Sequence, residues 1–243
     1  MRSLGTVLVV LLLAVTAAPA FAWTAATRVV MVDDAIKLMP PSLRKVLEKR
    51  RIDVLRGMLE PLTQEDTPAH RPPWDDGTIE ASVDGAARDL VSGTTTRVSF
   101  HDVARRFGVL AHFVADAGFP PGAAGAAGSA HYAHFAALCE ERRPKFPFVF
   151  YGHDNEALAK ADFKAFTQLV LARARAEDAN LVRAYAAAAS PGDAAAFDDR
   201  SVPFALASLS YSHTVTDIVQ AWLAAWRECH GDLEGTPYQG AEK

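Results

Sequence analysis

The chain has 243 residues, 50% of them hydrophobic, and a formal net charge of −4 at pH 7. This mild acidity argues against a nonspecific binder of duplex DNA, which needs a basic face, but it is compatible with a small phosphorylated substrate. Only two cysteines are present, Cys139 and Cys229. No disulfide framework can build the fold, although one bridge could form, and two separate buried thiols fit equally well.

Residues 1–22 have the parts of a cleaved signal peptide. Arg2 gives a positive start, residues 7–18 form a short apolar run, and residues 20–22 read Ala-Phe-Ala, a small-x-small cleavage site. The run is too short to span a bilayer stably. We therefore expect cleavage before Trp23 and a secreted or periplasmic protein. We expect no transmembrane segment, with peripheral membrane contact left open.

Hydrophobic residues recur with a helical period along most of the chain. Apolar side chains repeat at three and four positions between Val29 and Met39, which predicts an amphipathic helix that stops at Pro40-Pro41. A second helix is predicted from Ser42 to Pro61, and its charged residues fit a solvated face.

The middle of the chain mixes a loop with a well-marked helix. The Pro, Asp, Gly and Thr content of residues 62–93 predicts an irregular segment, with at most a short helix at 78–90. Ser99 followed by Asp102 resembles a capping box, which opens a helix that runs to about Gly118.

The rest of the chain reads as helices separated by short breaks. We expect a Gly/Ala hinge at 120–128, a helix at 129–142, an extended or irregular stretch at 146–151, long helices at 155–189 and 203–229, and a tail at 231–243. The sequence thus predicts one compact all-α domain of about seven helices over residues 23–243, which we expect to be a monomer.

Four of the eight histidines lie between residues 101 and 134, namely His101, His112, His131 and His134. His112 and Asp116 are four residues apart on a predicted helix, where Cβ atoms are about 6 Å apart and an imidazole and a carboxylate can hold one ion. The alternative is that Asp116 only hydrogen-bonds His112.

Neighbouring residues could complete such a site. Gly108, one turn before His112, could let another backbone or a ligand come close. His131 and His134 share one face of the next helix, and His70 could join as a loop ligand. Trp74 could line a substrate pocket or fold onto the core.

Other polar and aromatic residues have simpler interpretations. His153 precedes a predicted helix cap at Asn155. His213 and Asp217 repeat the four-residue spacing on the last helix, where an internal pair is preferred over a site. Trp222 is predicted to be a core residue.

The order of these features resembles a known family. A Trp at the mature N-terminus, an amphipathic helix, a loop His, the pattern Phe-Gly-x-x-x-His-x-x-x-Asp-x-x-x-Pro at 107–120 and a His-rich helix are similar to the zinc-dependent phospholipase C family. The related fungal single-strand-specific nucleases share this order. The likeness extends from about Trp23 to Glu140.

The resemblance implies an all-helical domain of the phospholipase C/nuclease type with three zinc ions. The terminal Trp23 would ligate through its amine and carbonyl, Asp116 would bridge metals, His112 would be its partner, and His70 would share a metal with them. Clustered metals lower the pKa of a bound water and direct the hydroxide at phosphorus, which hydrolyses a phosphodiester.

The chain departs from the family at several ligand positions. Arg28 stands where the family has a His, and arginine stays protonated and does not ligate zinc. Gly122 stands where a second His is usual. The Asp expected before the loop His has only Asp66 or Glu60 as candidates, and no Glu follows His131 or His134 at the family's spacing. These changes favour one or two metals over three.

The predicted site follows from the matched positions. The predicted zinc ligands are His112, Asp116, His70, His131, His134 and Trp23. The predicted catalytic carboxylates are Asp116 and Asp66. Arg28 and Trp74 are predicted to contact the substrate, because a permanent cation can engage a phosphate.

The function expected from the resemblance is an exported zinc-dependent phosphodiester hydrolase. A phospholipid headgroup or small diester is favoured as substrate over nucleic acid. A nuclease-type phosphodiesterase is one alternative. The alternative is a noncatalytic exported binding protein on the same scaffold, motivated by the changed ligand positions.

Overall fold

Ten α-helices make up most of the chain that the computed structural model describes, which is residues 22–63, 76–96, 98–124, 130–188 and 197–236. They are α1 (Ala25–Lys37), α2 (Pro41–Lys49), α3 (Arg51–Leu59), α4 (Asp76–Thr95), α5 (Phe100–Ala117), α6 (Pro120–Ala123), α7 (Ala130–Arg142), α8 (Glu156–Ala159), α9 (Phe163–Ala187) and α10 (Val202–Glu228). Short 3-10 turns follow α3 and α7. No strand occurs within these described ranges, which confirms the predicted all-α class. The predicted signal peptide, residues 1–22, lies outside them except for Ala22.

The first predicted helix is confirmed, whereas the second is two helices. Thr24 caps α1 through its Oγ1, which accepts a hydrogen bond from the backbone N–H of Thr27. The single helix expected from Ser42 to Pro61 is wrong, because the chain turns at Arg50 with φ −111° and separates α2 from α3. No proline or glycine marks this turn in the sequence. After this turn, α3 packs against α5.

Helix α4 confirms the short helix predicted at 78–90 within the irregular segment 62–93, and it is longer than predicted. It runs for 20 residues, and its buried residues Ile79, Val83 and Leu90 recur at helical spacing on the core side. Their burial outweighs the poor helix propensity of the Gly and Thr residues in this stretch. The remainder of that segment, 64–75, lies outside the described residues.

Helix α5 is the central helix, and it packs on α3, α4 and α10. Its predicted cap is confirmed, since Ser99 Oγ accepts from the backbone N–H of Asp102 at 3.2 Å. Two glycines allow the approach to α3. A Cβ atom on Gly108 would lie 2.0 Å from the carbonyl oxygen of Val54, and one on Gly57 would lie 1.9 Å from that of Arg105. The predicted close approach at Gly108 is therefore to another helix backbone.

The C-terminal half contains one further break. The helix predicted at 155–189 is instead α8 and α9, separated by Ala161 with φ +54°. Asn155 caps α8, as expected, by accepting from the N–H groups of Ala157 and Leu158. The two breaks and the short α6 account for ten helices where seven were predicted.

A single hydrophobic core joins these helices into one compact domain. Trp222 is fully buried within it, as predicted, and its indole N–H donates to the carbonyl of Phe107 at 2.8 Å. Cys139 and Cys229 are both free thiols. Among the described helices, none combines the length and the apolar character needed to cross a membrane.

Candidate functional site

The predicted metal position is filled by the side chain of Arg28. Helix α1 carries this arginine into the protein interior, where it is completely buried. Its Nε donates to the carbonyl of Trp23 at 2.9 Å, and its Nη1 donates to the carbonyl of His112 at 3.3 Å. Its Nη2 forms an ion pair with Asp116 Oδ1. The guanidinium therefore lies among the residues that were predicted to hold zinc.

His112 and Asp116 are neighbours on α5, as their spacing predicted. Nε2 of His112 lies 3.1 Å from Asp116 Oδ2, while Nδ1 lies 2.9 Å from the carbonyl oxygen of Met58 and 3.3 Å from Arg28 Nη1. Both ring nitrogens are thus engaged by protein groups. Burial lowers the pKa of His112 and favours the neutral ring, and the nearby Asp116 charge partly opposes this.

Trp23 belongs to the same cluster, through its indole ring and its carbonyl. Its ring is fully buried and its indole N–H donates to the carbonyl of Ala115 at 3.0 Å. The ring packs edge-on against Phe119, with centroids 5.2 Å apart. Its carbonyl, one of the two predicted ligand atoms, accepts from Arg28. The indole and carbonyl together anchor the start of α1 on α5.

The arrangement does not fit a zinc ion. A metal at this position needs the Trp23 carbonyl, His112 and Asp116 as free electron donors, and Arg28 engages all three. The permanent positive charge of the guanidinium would also repel a divalent cation within a poorly screened interior. Throughout the described ranges, no three His, Cys, Asp or Glu side chains form a group that could hold a metal ion.

Two of the predicted ligands on α7 point to α9 instead. Nε2 of His131 lies 3.2 Å from Asp178 Oδ1, and Nδ1 of His134 lies 2.5 Å from the hydroxyl of Tyr185. Their shared helix face was predicted correctly, but its partner was not, because α7 turns this face to α9. The expected convergence of these histidines with His112 is therefore wrong.

The remaining candidates divide into one surface residue and three outside the described residues. His101 lies at the start of α5, with Nδ1 at 2.7 Å from Asp53 Oδ2 and Nε2 at 2.8 Å from Arg50. The other three predicted site residues, His70, Asp66 and Trp74, lie in the part of the chain that the structure does not describe.

A second polar cluster joins α9 to α10. Nδ1 of His213 lies 2.8 Å from Glu177 Oε1, and Ser210 Oγ donates to Glu177 Oε2 at 2.5 Å. Arg173 forms an ion pair with Asp217, one helical turn further along. The internal pair predicted for His213 and Asp217 is therefore wrong, since each residue pairs with α9.

The Asp217 carboxyl is electrostatically perturbed by this environment. Burial raises its pKa to about 6, and Glu177 adds to the rise, whereas Arg173 and His213 oppose it. A perturbed carboxyl beside a histidine and an arginine is typical of functional sites, although ion-pair networks also produce it.

This cluster was not predicted, because the sequence pattern of α10 does not indicate that α9 packs against it. Arg173 and Glu177 are four residues apart on α9, matching the spacing of His213 and Asp217. The four-residue spacing places Arg173 and Glu177 on one face of α9, and His213 and Asp217 on one face of α10. Only the packing of α9 on α10 brings these opposite charges together.

Comparison with known proteins adds no family assignment. No family model matches the chain, and neither a curated protein nor a solved structure matches it significantly.

Proposed function

We propose that this protein is an exported, noncatalytic binding protein, on a helical scaffold that resembles the phospholipase C family. The observation that carries the proposal is the complete burial of Arg28 among the Trp23 carbonyl, His112 and Asp116. A guanidinium at this position supplies the positive charge that a metal ion would supply, and its N–H groups donate to oxygens of Trp23, His112 and Asp116. The cluster then serves to hold α1 on α5.

Burial also argues against catalysis at this position. Arg28 and His112 expose none of their surface, and Asp116 exposes only 2%. A phosphodiester would have to reach these groups through the packed core, where few voids exceed the size of a water molecule. This enclosure removes the basis for the substrate contact that was predicted for Arg28.

Metal analysis of the purified protein tests the proposal. The wild-type chain is purified without chelator, dialysed against zinc and then against metal-free buffer, and its zinc is measured by mass spectrometry. Asp116→Asn changes the cluster isosterically, and His101→Ala is a control at the surface. We expect zinc well below one equivalent in all three proteins, and no turnover of a chromogenic phosphodiester.

The contrary result is equally specific. At least one equivalent of zinc in the wild type and in His101→Ala, lost in Asp116→Asn together with phosphodiester turnover, would overturn the proposal. That result would restore the zinc-dependent hydrolase that the sequence predicted.

A further inference from the structure

A cavity of about 220 Å³ lies between α9, α10 and the segment that precedes α8. One part of its wall is polar, with Arg173, His213 and Asp217, and the other part is apolar, with Leu169 and Val170. Its volume is below the roughly 300–1,000 Å³ of sites for drug-sized ligands. The cavity therefore suits one small molecule.

The charged groups in this wall, and Glu177 directly behind His213, are not needed to pack two helices. Glu177 and Asp217 are buried to more than nine-tenths, and buried charges are destabilising unless they are well paired. Apolar residues of similar volume would join α9 to α10 at least as stably. The presence of two carboxylates, an imidazole and a guanidinium at or beside a cavity therefore points to a ligand.

Each polar group keeps bonding capacity within the described part of the chain. Arg173 uses Nη2 for Asp217, which leaves its other N–H groups, and about a third of its side chain is exposed. His213 uses Nδ1 for Glu177, and Asp217 uses Oδ2 for Arg173. Nε2 of His213 and Oδ1 of Asp217 remain as further polar atoms at the cavity.

The apolar side of the cavity is partly open to solvent. Leu169 exposes 58% of its surface and Tyr151 exposes 49%. The ring of Tyr151 lies against His213, with centroids 4.5 Å apart. A ligand with an aliphatic or aromatic side chain would cover these surfaces and remove their apolar area from water, which favours binding.

We propose that this cavity binds a small zwitterion with an apolar side chain, such as a free α-amino acid. Its carboxylate is held by Arg173, its ammonium by Asp217 with His213 as a second acceptor, and its side chain lies against Leu169 and Val170. A zwitterion adds no net charge to the Arg173–Asp217 ion pair that lines the cavity, whereas Glu177 lies outside the lining and is bonded to His213 and Ser210. An anion or a cation alone would leave one charge uncompensated. This inference goes beyond the proposed function, because the cavity shares no residue with the Arg28 cluster.

Calorimetric titration with leucine and its two fragments tests the ligand class. 4-Methylpentanoate lacks the ammonium group, and 3-methylbutylamine lacks the carboxylate. We expect leucine to bind the full chain, and each fragment to bind at least about tenfold more weakly, since each fragment loses its hydrogen bonds to one charged group. Equal binding of either fragment would overturn the zwitterion assignment.

Two pairs of variants on α9 test the location. Leu169→Trp fills the cavity mouth, and Val182→Trp is its control at another exposed position of the helix. Arg173→Gln removes the carboxylate partner, and Arg183→Gln is its exposed control. We expect leucine affinity to fall about tenfold or more in the first member of each pair and to stay unchanged in the second.

The folding of each variant is checked separately from its binding. Leu169 and Arg173 are both partly exposed, and circular dichroism with thermal unfolding reports whether each variant keeps its fold. Unchanged leucine binding in folded Leu169→Trp and Arg173→Gln would overturn the location. Failure of the wild-type protein to bind leucine, methionine and phenylalanine at millimolar concentration would overturn the proposal as a whole.

Discussion

Arg28 and Asp116, 88 residues apart in the chain, form an ion pair that is enclosed by the protein core. The pair joins the first helix to the central helix and brings His112 and the Trp23 carbonyl into one network. Such a network stabilises a fold only while every charged member keeps its partner. The first prediction concerns the loss of one member.

Arg28→Ala is expected to lower the free energy of unfolding by about 3–5 kcal/mol, because it leaves the buried Asp116 carboxylate without its cation. Urea denaturation monitored by circular dichroism measures the change. Arg88→Ala is the control, since Arg88 pairs with Asp84 at the surface and 72% of its side chain is exposed. It should cost less than about 1 kcal/mol. Similar losses in the two variants would contradict the role of Arg28.

Gly108→Ala is expected to destabilise the protein by several kcal/mol, on the order of a severe core substitution. The added Cβ would lie 2.0 Å from the carbonyl oxygen of Val54, a backbone atom that cannot move without shifting α3. Gly85→Ala, on α4, is the control because a Cβ there meets nothing within 4 Å. It should stabilise by about 0.5–1 kcal/mol through better helix propensity. Thermal unfolding of both variants measures the contrast, and equal effects would disprove the contact.

The stability difference between wild type and Asp217→Asn is expected to depend on pH. Burial raises the pKa of Asp217 from its ordinary value of 3.8 to about 6, so the folded state holds this proton more tightly than the unfolded state. The contribution of the carboxyl to stability is present below about pH 4 and is lost as the pH rises through about 6. Two pKa units correspond to roughly 3 kcal/mol.

Urea denaturation of both proteins between pH 4 and 7.5 tests this sign. The wild type should lose stability relative to Asp217→Asn as the pH rises, with Arg173, His213 and Glu177 as the charged groups that face the carboxyl. Glu140→Gln, at an exposed position of α7, is the control for the removal of one carboxyl group. Parallel curves for wild type and Asp217→Asn would show that the Asp217 carboxyl titrates normally.

Gln220→Ala is expected to loosen the segment that walls the cavity. The Gln220 amide donates to the carbonyl of Gly152 at 2.9 Å and to that of Asp154, and it accepts from Asn155. At about 1 kcal/mol for each lost hydrogen bond, hydrogen exchange of residues 149–155 should rise roughly fivefold or more. Mass spectrometry measures it, with the exposed Asn180→Ala as control. Unchanged exchange in Gln220→Ala would mean that other contacts hold the segment.

The features that could be predicted from sequence have local causes. The caps at Ser99 and Asn155 work within three residues, and Pro40-Pro41 limits the first helix wherever it packs. The proximity of His112 and Asp116 also follows from helix geometry alone. These predictions needed no knowledge of neighbouring helices, and the structure confirms them.

The incorrect predictions concern which helices pack against each other. His131 and His134 share a face, but the sequence does not specify that α9 covers it. The breaks at Arg50 and Ala161 carry no proline or glycine signal. The Arg50 break lies where α3 packs on α5, whereas the Ala161 break has a local cause, because the Asp162 side chain caps α9 by accepting from the N–H of Ala165 at 2.9 Å.

Sequence by itself determined the all-α class, most helix limits and the pairing of His112 with Asp116, because hydrophobic period, capping and four-residue spacing act over one or two turns. Only the tertiary structure decided that Arg28 enters the core between Trp23 and α5, and that α9 completes the charges of α10. Both outcomes depend on which helix faces pack together. That choice is made by burial of the whole apolar surface, which no local pattern encodes.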